Sequence, residues 1–76
     1  MQERIYKILG LCLQAQEKGH YVVFDLSIDA LNIWHHDSKT LNLIERRTVY
    51  LKCGYTDEEF AQAESYLKEL ISDVHT

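Results

Sequence analysis

The segment Tyr21–Ile28, with the sequence YVVFDLSI, constrains the fold of this chain more than any other. It is rich in β-branched and aromatic residues, and it is too short for a core helix. Because side chains alternate along a strand, its even-numbered residues share one face and its odd-numbered residues share the other. The pattern therefore predicts a strand that packs on the core through Val22, Phe24, Leu26 and Ile28.

A helix is predicted before this strand, from Gln2 to Lys18. Its apolar residues recur every three or four positions, so they form one stripe made of Ile5, Ile8, Leu9, Cys12 and Ala15. Tyr6 and Leu13 widen the stripe on one flank, whereas Leu11 lies among polar residues and is predicted to be exposed. Gly19 follows the helix and suits the left-handed conformation that commonly ends one.

Two further strands are predicted after the first. Leu31–His36 is the second, with Leu31 and Ile33 on its core face. The polar segment Asp37–Thr40 is the best turn signal in the chain, and it implies an antiparallel hairpin into a third strand within Leu41–Cys53.

The third strand has a conflict of parity. A simple hairpin pairs Ile33 with Ile44, but Ile44 and Val49 cannot both face the core without one inserted residue. We therefore predict a bulge or break within Glu45–Arg47. The alternative is a longer loop, with the strand proper only at Thr48–Lys52.

A second helix is predicted after Gly54, because Thr56–Glu59 has the pattern of a capping box. Tyr55 and Phe60 occupy the two positions of a hydrophobic staple. The helix is predicted to end near Asp73 or Val74. Its apolar arc faces the core through Phe60, Ala63, Leu67, Leu70, Ile71 and Val74.

These elements predict an α+β fold in the order α-β-β-β-α, as a single domain over residues 1–76. We expect a two-layer sandwich in which both helices cover one face of a three-stranded antiparallel sheet. A chain of this length buries only about 60% of its unfolded surface, so self-association or a partner is an expected support. Cys12 and Cys53 are too few for a disulfide scaffold and are predicted to be reduced core residues.

The net charge of −4 is unevenly distributed, since residues 56–76 carry one positive and six negative side chains, or −5. The chain lacks the basic face that general nucleic-acid binding requires, but it suits a basic protein surface. No signal peptide or membrane span is recognisable, so we expect a cytoplasmic protein, in the host cytoplasm if it is phage-encoded.

Two surfaces are candidates for binding a partner. The sheet face away from the helices would carry Tyr21, Val23, Trp34, His36, Thr48 and Tyr50. Such an aromatic patch indicates an interface, including that of a homodimer; the alternative is ordinary cross-strand pairing on a half-exposed sheet. The second surface is the acidic face of the last helix, formed by Glu58, Gln62, Glu69 and Asp73, for which the alternative is a solvated face.

No sequence pattern indicates chemistry. Nucleophile motifs, phosphate-binding loops and metal-ligand spacings are not found, so we predict no enzyme, no cofactor and no metal site. His35 and His36 are adjacent on a strand and point to opposite faces, which prevents joint chelation. His35 shares the parity of Ile33, and we expect it at the rim of the core with a hydrogen bond.

The elements of this chain together resemble those of a known group. They are a first helix, the strand YVVFDLSI, a second strand ending in HHD, a third such as RRTVYLK, and a capped acidic helix. The build is similar to that of small orphan proteins of phages and prophages in Gram-positive bacteria, including some anti-CRISPR inhibitors. The resemblance implies an accessory or inhibitor protein that acts by binding another protein. The alternatives are a nucleic-acid-binding regulator that uses Arg46, Arg47 and Lys52, and a structural homodimer.

Overall fold

A computed structural model describes residues 2–52 and 56–72 of the chain. The elements follow the predicted order, helix, three strands, helix. Their bounds are α1 Gln2–Glu17, β1 Tyr21–Leu26, β2 Ala30–His36, β3 Leu43–Tyr50 and α2 Thr56–Ser72. Neither helix, over the residues described, combines the length and apolar character that crossing a membrane requires. Cys53, Gly54, Tyr55, Asp73 and Val74 lie outside the described residues, and so do the predictions made for them.

The sheet is antiparallel with the strand order β1-β2-β3, and both helices pack on the same face of it. This confirms the predicted α+β sandwich. Residues of α1, α2 and the core-facing strand positions form one apolar cluster, in which Phe60 and Ile8 are each 1% exposed. Full burial of such a side chain contributes about 1.5–3 kcal/mol. The cluster contains Ile5, Ile8, Leu11, Cys12, Ala15, Val22, Leu31, Ile33, Val49, Phe60, Ala63 and Leu67.

The apolar stripe of α1 is rotated toward α2 relative to the prediction. Leu11 is only 9% exposed and belongs to the core, so the prediction of an exposed Leu11 was wrong. Leu13 and Tyr6, which were expected to widen the stripe, are 51% and 66% exposed. The reason is lateral packing: α2 lies beside α1 and covers the flank that carries Leu11.

The end of α1 confirms the role predicted for Gly19. Its φ of 95° is in the left-handed region. The amide of Gly19 donates to the Gln16 carbonyl at 3.0 Å, and the amide of His20 donates to the Ala15 carbonyl at 3.1 Å. These two bonds form a Schellman motif, which satisfies carbonyl groups at the helix end and turns the chain toward β1.

The first strand is shorter than its sequence pattern. It ends at Leu26, and a tight turn follows in which the Ser27 amide donates to the Ala30 carbonyl at 2.9 Å. Leu26 is 47% exposed and Ile28 is 80% exposed, so the prediction that both face the core was wrong. The alternation of side chains is real, but the core ends before the strand does, at the half-buried Phe24.

The second hairpin contains the predicted irregularity at a neighbouring position. The Asp37 carboxylate accepts from the amides of Lys39 and Thr40, as the turn signal indicated. His35 is opposite Glu45 and His36 is opposite Leu43, so Ile44 is the inserted residue.

The loop is also longer than a simple hairpin, because Ile33 pairs with Arg47 and not with Ile44. Because Ile44 is inserted between them, Leu43 and Val49 lie on opposite faces of the sheet although both are odd-numbered. Val49 is 1% exposed and packs in the core, whereas Leu43 is 54% exposed.

The helix α2 begins at Thr56, in agreement with the capping-box pattern. The Thr56 hydroxyl donates to the Tyr50 carbonyl at 2.7 Å, and the Glu59 carboxylate accepts from the Tyr50 amide at 3.0 Å. The two side chains of the capping-box pattern thus also bind the end of β3. These bonds attach the first turn of α2 to the free edge of β3.

Candidate protein-binding surface

The outer face of the sheet, meaning the face opposite the helices, carries the aromatic residues that the sequence placed there. Tyr21 pairs with His36, and Trp34 lies between Val23 and Arg46 on the neighbouring strands. Tyr21, Val23 and Tyr50 are 45%, 40% and 56% exposed, whereas Trp34 and His36 are half-buried. Trp34 and Tyr50 are therefore not enclosed between the helices and the sheet. The outer face comprises Tyr21, Val23, Asp25, Ala30, Asn32, Trp34, His36, Leu43, Arg46, Thr48 and Tyr50.

Contacts within the outer face fix several of its side chains. The rings of Tyr21 and His36 meet edge to face with centroids 5.6 Å apart, and His36 Nδ1 donates to the Leu41 carbonyl at 3.1 Å. The Thr48 hydroxyl donates to Asn32 Oδ1 at 2.9 Å. Side chains held in this way lose little further freedom on binding, which favours recognition.

Leu43 and Arg46 also belong to the outer face, beyond the residues named for the predicted aromatic patch. Leu43 has the same parity as Val49. The inserted Ile44 reverses that relation, so Leu43 points outward opposite His36. Arg46 lies opposite Trp34 and adds a positive charge that Asp25, on the same face, balances.

The acidic face of α2 is sparser than the sequence suggested. Glu58, Gln62 and Glu69 are exposed, whereas Asp73 lies outside the described residues. Another acidic residue of α2, Glu64, forms ion pairs with Lys7 at 2.8 Å and with Lys68 at 3.1 Å, and these bonds lower the pKa of its carboxyl. Glu58 and Glu69 are three helical turns apart, or about 16 Å at 1.5 Å per residue, so they do not form one focused site.

The predicted cations of a nucleic-acid site are separated in the structure. Arg47 is on the helix side of the sheet, where its guanidinium bonds Glu45 at 3.3 Å and lies over the Tyr66 ring at 5.5 Å. Lys52 forms an ion pair with Asp29 at 3.4 Å. Only Arg46 of the three therefore stands beside the aromatic residues of the outer face.

A cleft of about 400 Å³ opens between β3 and α2 around Arg47. Its walls are polar and of mixed charge, formed by Arg47, Gln62, Ser65, Tyr66 and Glu69. Within the part of the chain that is described, Arg47 Nε is buried and has no hydrogen-bond partner. Arg47 lies on the helix side because it is two residues from the core residue Val49, and no sequence pattern indicated the α2 residues that complete the cleft.

His35 lies at the rim of the core and is hydrogen-bonded, as predicted. It is 8% exposed, and its Nδ1 is 2.7 Å from the Tyr66 hydroxyl. Burial lowers the pKa of His35, and the neighbouring His20 and His36 lower it further. Burial likewise raises the pKa of Tyr66. This pair bridges β2 and α2 and holds the helix on the sheet.

His20 is distant from His35 in sequence, but its ring lies edge to face with that of His35 at a centroid distance of 5.7 Å. Its Nε2 donates to the Leu70 carbonyl at 2.9 Å. Over residues 2–52 and 56–72, no cluster of three His, Cys, Asp or Glu side chains is arranged to hold a metal ion. Through their bonds to Leu70 and Tyr66, the two histidines link the sheet to α2.

Comparisons of the chain with protein-family models, with curated proteins and with solved structures found no match.

Proposed function

We propose that this chain is a small non-enzymatic interaction protein whose outer face binds another protein. The observation that carries the proposal is the one-sided arrangement of the helices. Both pack against the same side of the sheet, and the opposite side presents Tyr21 and Tyr50 at 45% and 56% exposure together with the half-buried Trp34. Aromatic residues are enriched at the centres of protein interfaces, where they provide large contact area at low entropic cost.

The chemistry of the outer face indicates the kind of partner. Its aromatic and aliphatic centre is neutral overall, since Asp25 and Arg46 carry opposite charges on β1 and β3. The expected partner surface is therefore apolar at its centre, with polar groups at its rim. An accessory or inhibitor protein of phage or mobile-element type, acting in the cytoplasm, would have this mode of action. The acidic face would then contribute to the rate of association with a basic partner through Glu58 and Glu69.

Nucleic-acid binding is less well supported by the geometry. Neutralising several phosphates requires several accessible cations on one surface, and the outer face carries one, Arg46. A salt titration with a labelled single-stranded oligonucleotide separates the two functions. Affinity that falls steeply with salt would favour a nucleic-acid regulator, and no binding at low salt would exclude it.

The proposal is tested by capture of partners with matched variants. Tyr21→Asp and Tyr50→Asp place a charge on the outer face at exposed positions. Leu41→Asp is the control, because Leu41 is 54% exposed in the turn and has a φ of 65°, which aspartate tolerates well. Glu69→Lys reverses a charge on the acidic face.

We expect a protein that is captured by the wild type and by Leu41→Asp, lost with both tyrosine variants, and retained with Glu69→Lys. Binding of the purified partner is then measured by titration with the same variants. A partner that both tyrosine variants bind with wild-type affinity would refute the outer face as the site.

A further inference from the structure

The free edge of β1 lies apart from the outer face on which the proposed function depends. Backbone groups of alternate residues in an antiparallel strand point to opposite sides. The bond from the Ser27 amide to the Ala30 carbonyl fixes the phase, so Val22, Phe24 and Leu26 direct their amides and carbonyls away from β2. Gln16 Nε2 donates to the Val22 carbonyl at 2.7 Å. In the described part of the chain, no hydrogen bond reaches the edge groups of Phe24 and Leu26.

The other edge of the sheet is protected by contrast. At the free edge of β3, the amide and carbonyl of Tyr50 are bonded by Glu59 and Thr56 of α2. The same strand carries a bulge at Ile44 and the charged side chain of Arg46. Bulges, basic side chains and covering elements are the usual means by which proteins prevent an edge strand from pairing. β1 has a regular register, no Lys, Arg or Pro, and only Asp25 as a charge.

An apolar flank of α1 accompanies the open edge. Tyr6, Leu9, Leu13 and Gln16, which we call the α1 flank, recur at helical spacing, and Gln16 reaches the edge of β1. Tyr6 is 66% exposed and Leu13 is 51% exposed, and none of the four residues is charged. The charged residues of α1 nearest α2 face the other way, since Arg4 bonds Asp57 at 2.6 Å.

We propose that the free edge of β1 and the α1 flank form a two-fold symmetric interface with a second copy of this chain. The β1 strands pair antiparallel about an axis perpendicular to the sheet, which makes a six-stranded sheet. The same axis places both α1 helices side by side on one face, so that the two α1 flanks meet. In the dimer, four helices about 10 Å apart span about 30 Å, and six strands about 4.8 Å apart span about 24 Å. The helix layer and the sheet therefore have similar widths, so the strands can pair while the α1 flanks are in contact.

Charge favours a second copy as the occupant. The α1 flank is neutral, so the two flanks meet without like-charge repulsion, although each chain carries −4. The acidic helix α2 packs on β3 at the far side of the sheet from β1, so the two α2 helices stay apart. An isologous contact of this kind needs one self-complementary surface, and this edge and flank provide it.

Asp25 selects the register of the paired strands. In the register with Phe24 opposite the partner's Phe24, Val22 lies opposite the partner's Leu26, and Asp25 lies opposite the partner's Val23. Shifting the pairing so that Leu26 faces the partner's Phe24 places Asp25 directly against the partner's Asp25, and like charges in that position destabilise a sheet. The first register therefore defines the proposed dimer.

Sedimentation equilibrium from micromolar to millimolar concentration tests the proposal. We expect the wild type to approach twice the chain mass of 8.9 kDa as concentration rises. Leu13→Lys should remain monomeric at every concentration, with an unchanged circular dichroism spectrum. Ile44→Lys is the matched control, because Ile44 is 56% exposed on β3, and it should dimerise as the wild type does.

A wild-type chain that stays monomeric throughout would overturn the proposal and leave the edge to an extended segment of another protein. A dimer that persists in Leu13→Lys would overturn it as well, since another surface would then be responsible.

Cysteine cross-linking tests the register in the dimer. Val23→Cys and Asp25→Cys are prepared separately and mixed under mild oxidation. Opposed non-hydrogen-bonded residues have Cα atoms about 4.5 Å apart, within the range of a disulfide. We expect a cross-linked dimer from the mixture and none from either variant alone or from the wild type. Cross-linking of Val23→Cys alone to the same extent would refute the register.

Discussion

Leu11 and Leu13 provide a sharp test of how α1 packs, because the same substitution two residues apart in one helix should have very different effects. Leu11 is 9% exposed in the core, and Leu13 is 51% exposed on the α1 flank. Leucine and alanine have similar helix propensities, so Leu→Ala changes the local helix preference little and equally at both sites. The difference between the two variants therefore reports on burial alone.

The expected magnitudes follow from these exposures. Truncating a buried leucine to alanine costs about 2–5 kcal/mol, and Leu11 is 9% exposed at the margin of the core, so we expect about 2–3 kcal/mol. About half of Leu13 is already exposed to solvent, so its truncation removes less apolar contact and leaves no cavity. Leu13→Ala should therefore cost about 0.5–1 kcal/mol. For a chain whose total stability is about 4–11 kcal/mol, only the first loss is severe.

Urea unfolding followed by circular dichroism measures both variants. At about 4–8 °C per kcal/mol, Leu11→Ala should also lower the melting temperature by about 10–20 °C. The measurement is repeated at rising protein concentration, where the cost of Leu13→Ala should grow if the proposed dimer forms, while that of Leu11→Ala should not. Equal losses at the lowest concentration, or a larger loss for Leu13→Ala, would refute the assignment of Leu11 to the core.

Two further predictions concern backbone conformation and pH. Gly19→Ala should cost about 1 kcal/mol, because the left-handed φ of 95° opposes a side chain although space is open. Gly10→Ala, in the helix with no neighbour within 4 Å, should instead stabilise by up to about 1 kcal/mol, and chemical unfolding compares the two. The lowered pKa of His35 means that the unfolded chain binds more protons, so stability should fall as pH drops through 6.5. Urea unfolding is measured about one pH unit above and one below 6.5. Between these pH values, the free energy of unfolding should fall less for His35→Gln than for the wild type. Equal falls would contradict His35 as the origin of the pH dependence.

The types and order of the elements could be predicted because each depends on local periodicity. The alternation in β1, the 3.6-residue stripes of both helices and the Asp37 turn are properties of neighbouring residues, and the structure confirms them. Which flank of α1 is buried could not be predicted in this way. The choice between Leu11 and Leu13 depends on the side on which α2 packs, and that is set by contacts more than fifty residues apart in sequence, such as Arg4 with Asp57.

The register of β3 shows the same limit for the candidate site. Sequence parity required one inserted residue and placed it within Glu45–Arg47, and the structure places it at Ile44. This small displacement leaves Ile44 without a partner on β2 and turns Glu45 to the helix side opposite His35, because each step along a strand reverses the direction of its side chain. The sheet face on which Tyr21 and Trp34 lie could be predicted, because the β1–β2 hairpin is tight and contains no inserted residue.

The two edges of the sheet differ in how well they are suited to pair with another strand. β3 carries Arg46 and the bulge and is tied to α2 at Tyr50, so it is suited to remain an edge. β1 is apolar and regular beside a helix flank whose exposed residues add little stability to a single small chain. Pairing at β1 would bury that flank and supply the external support that a core of this size needs. It would leave the outer face open, because the paired sheets extend side by side in one plane.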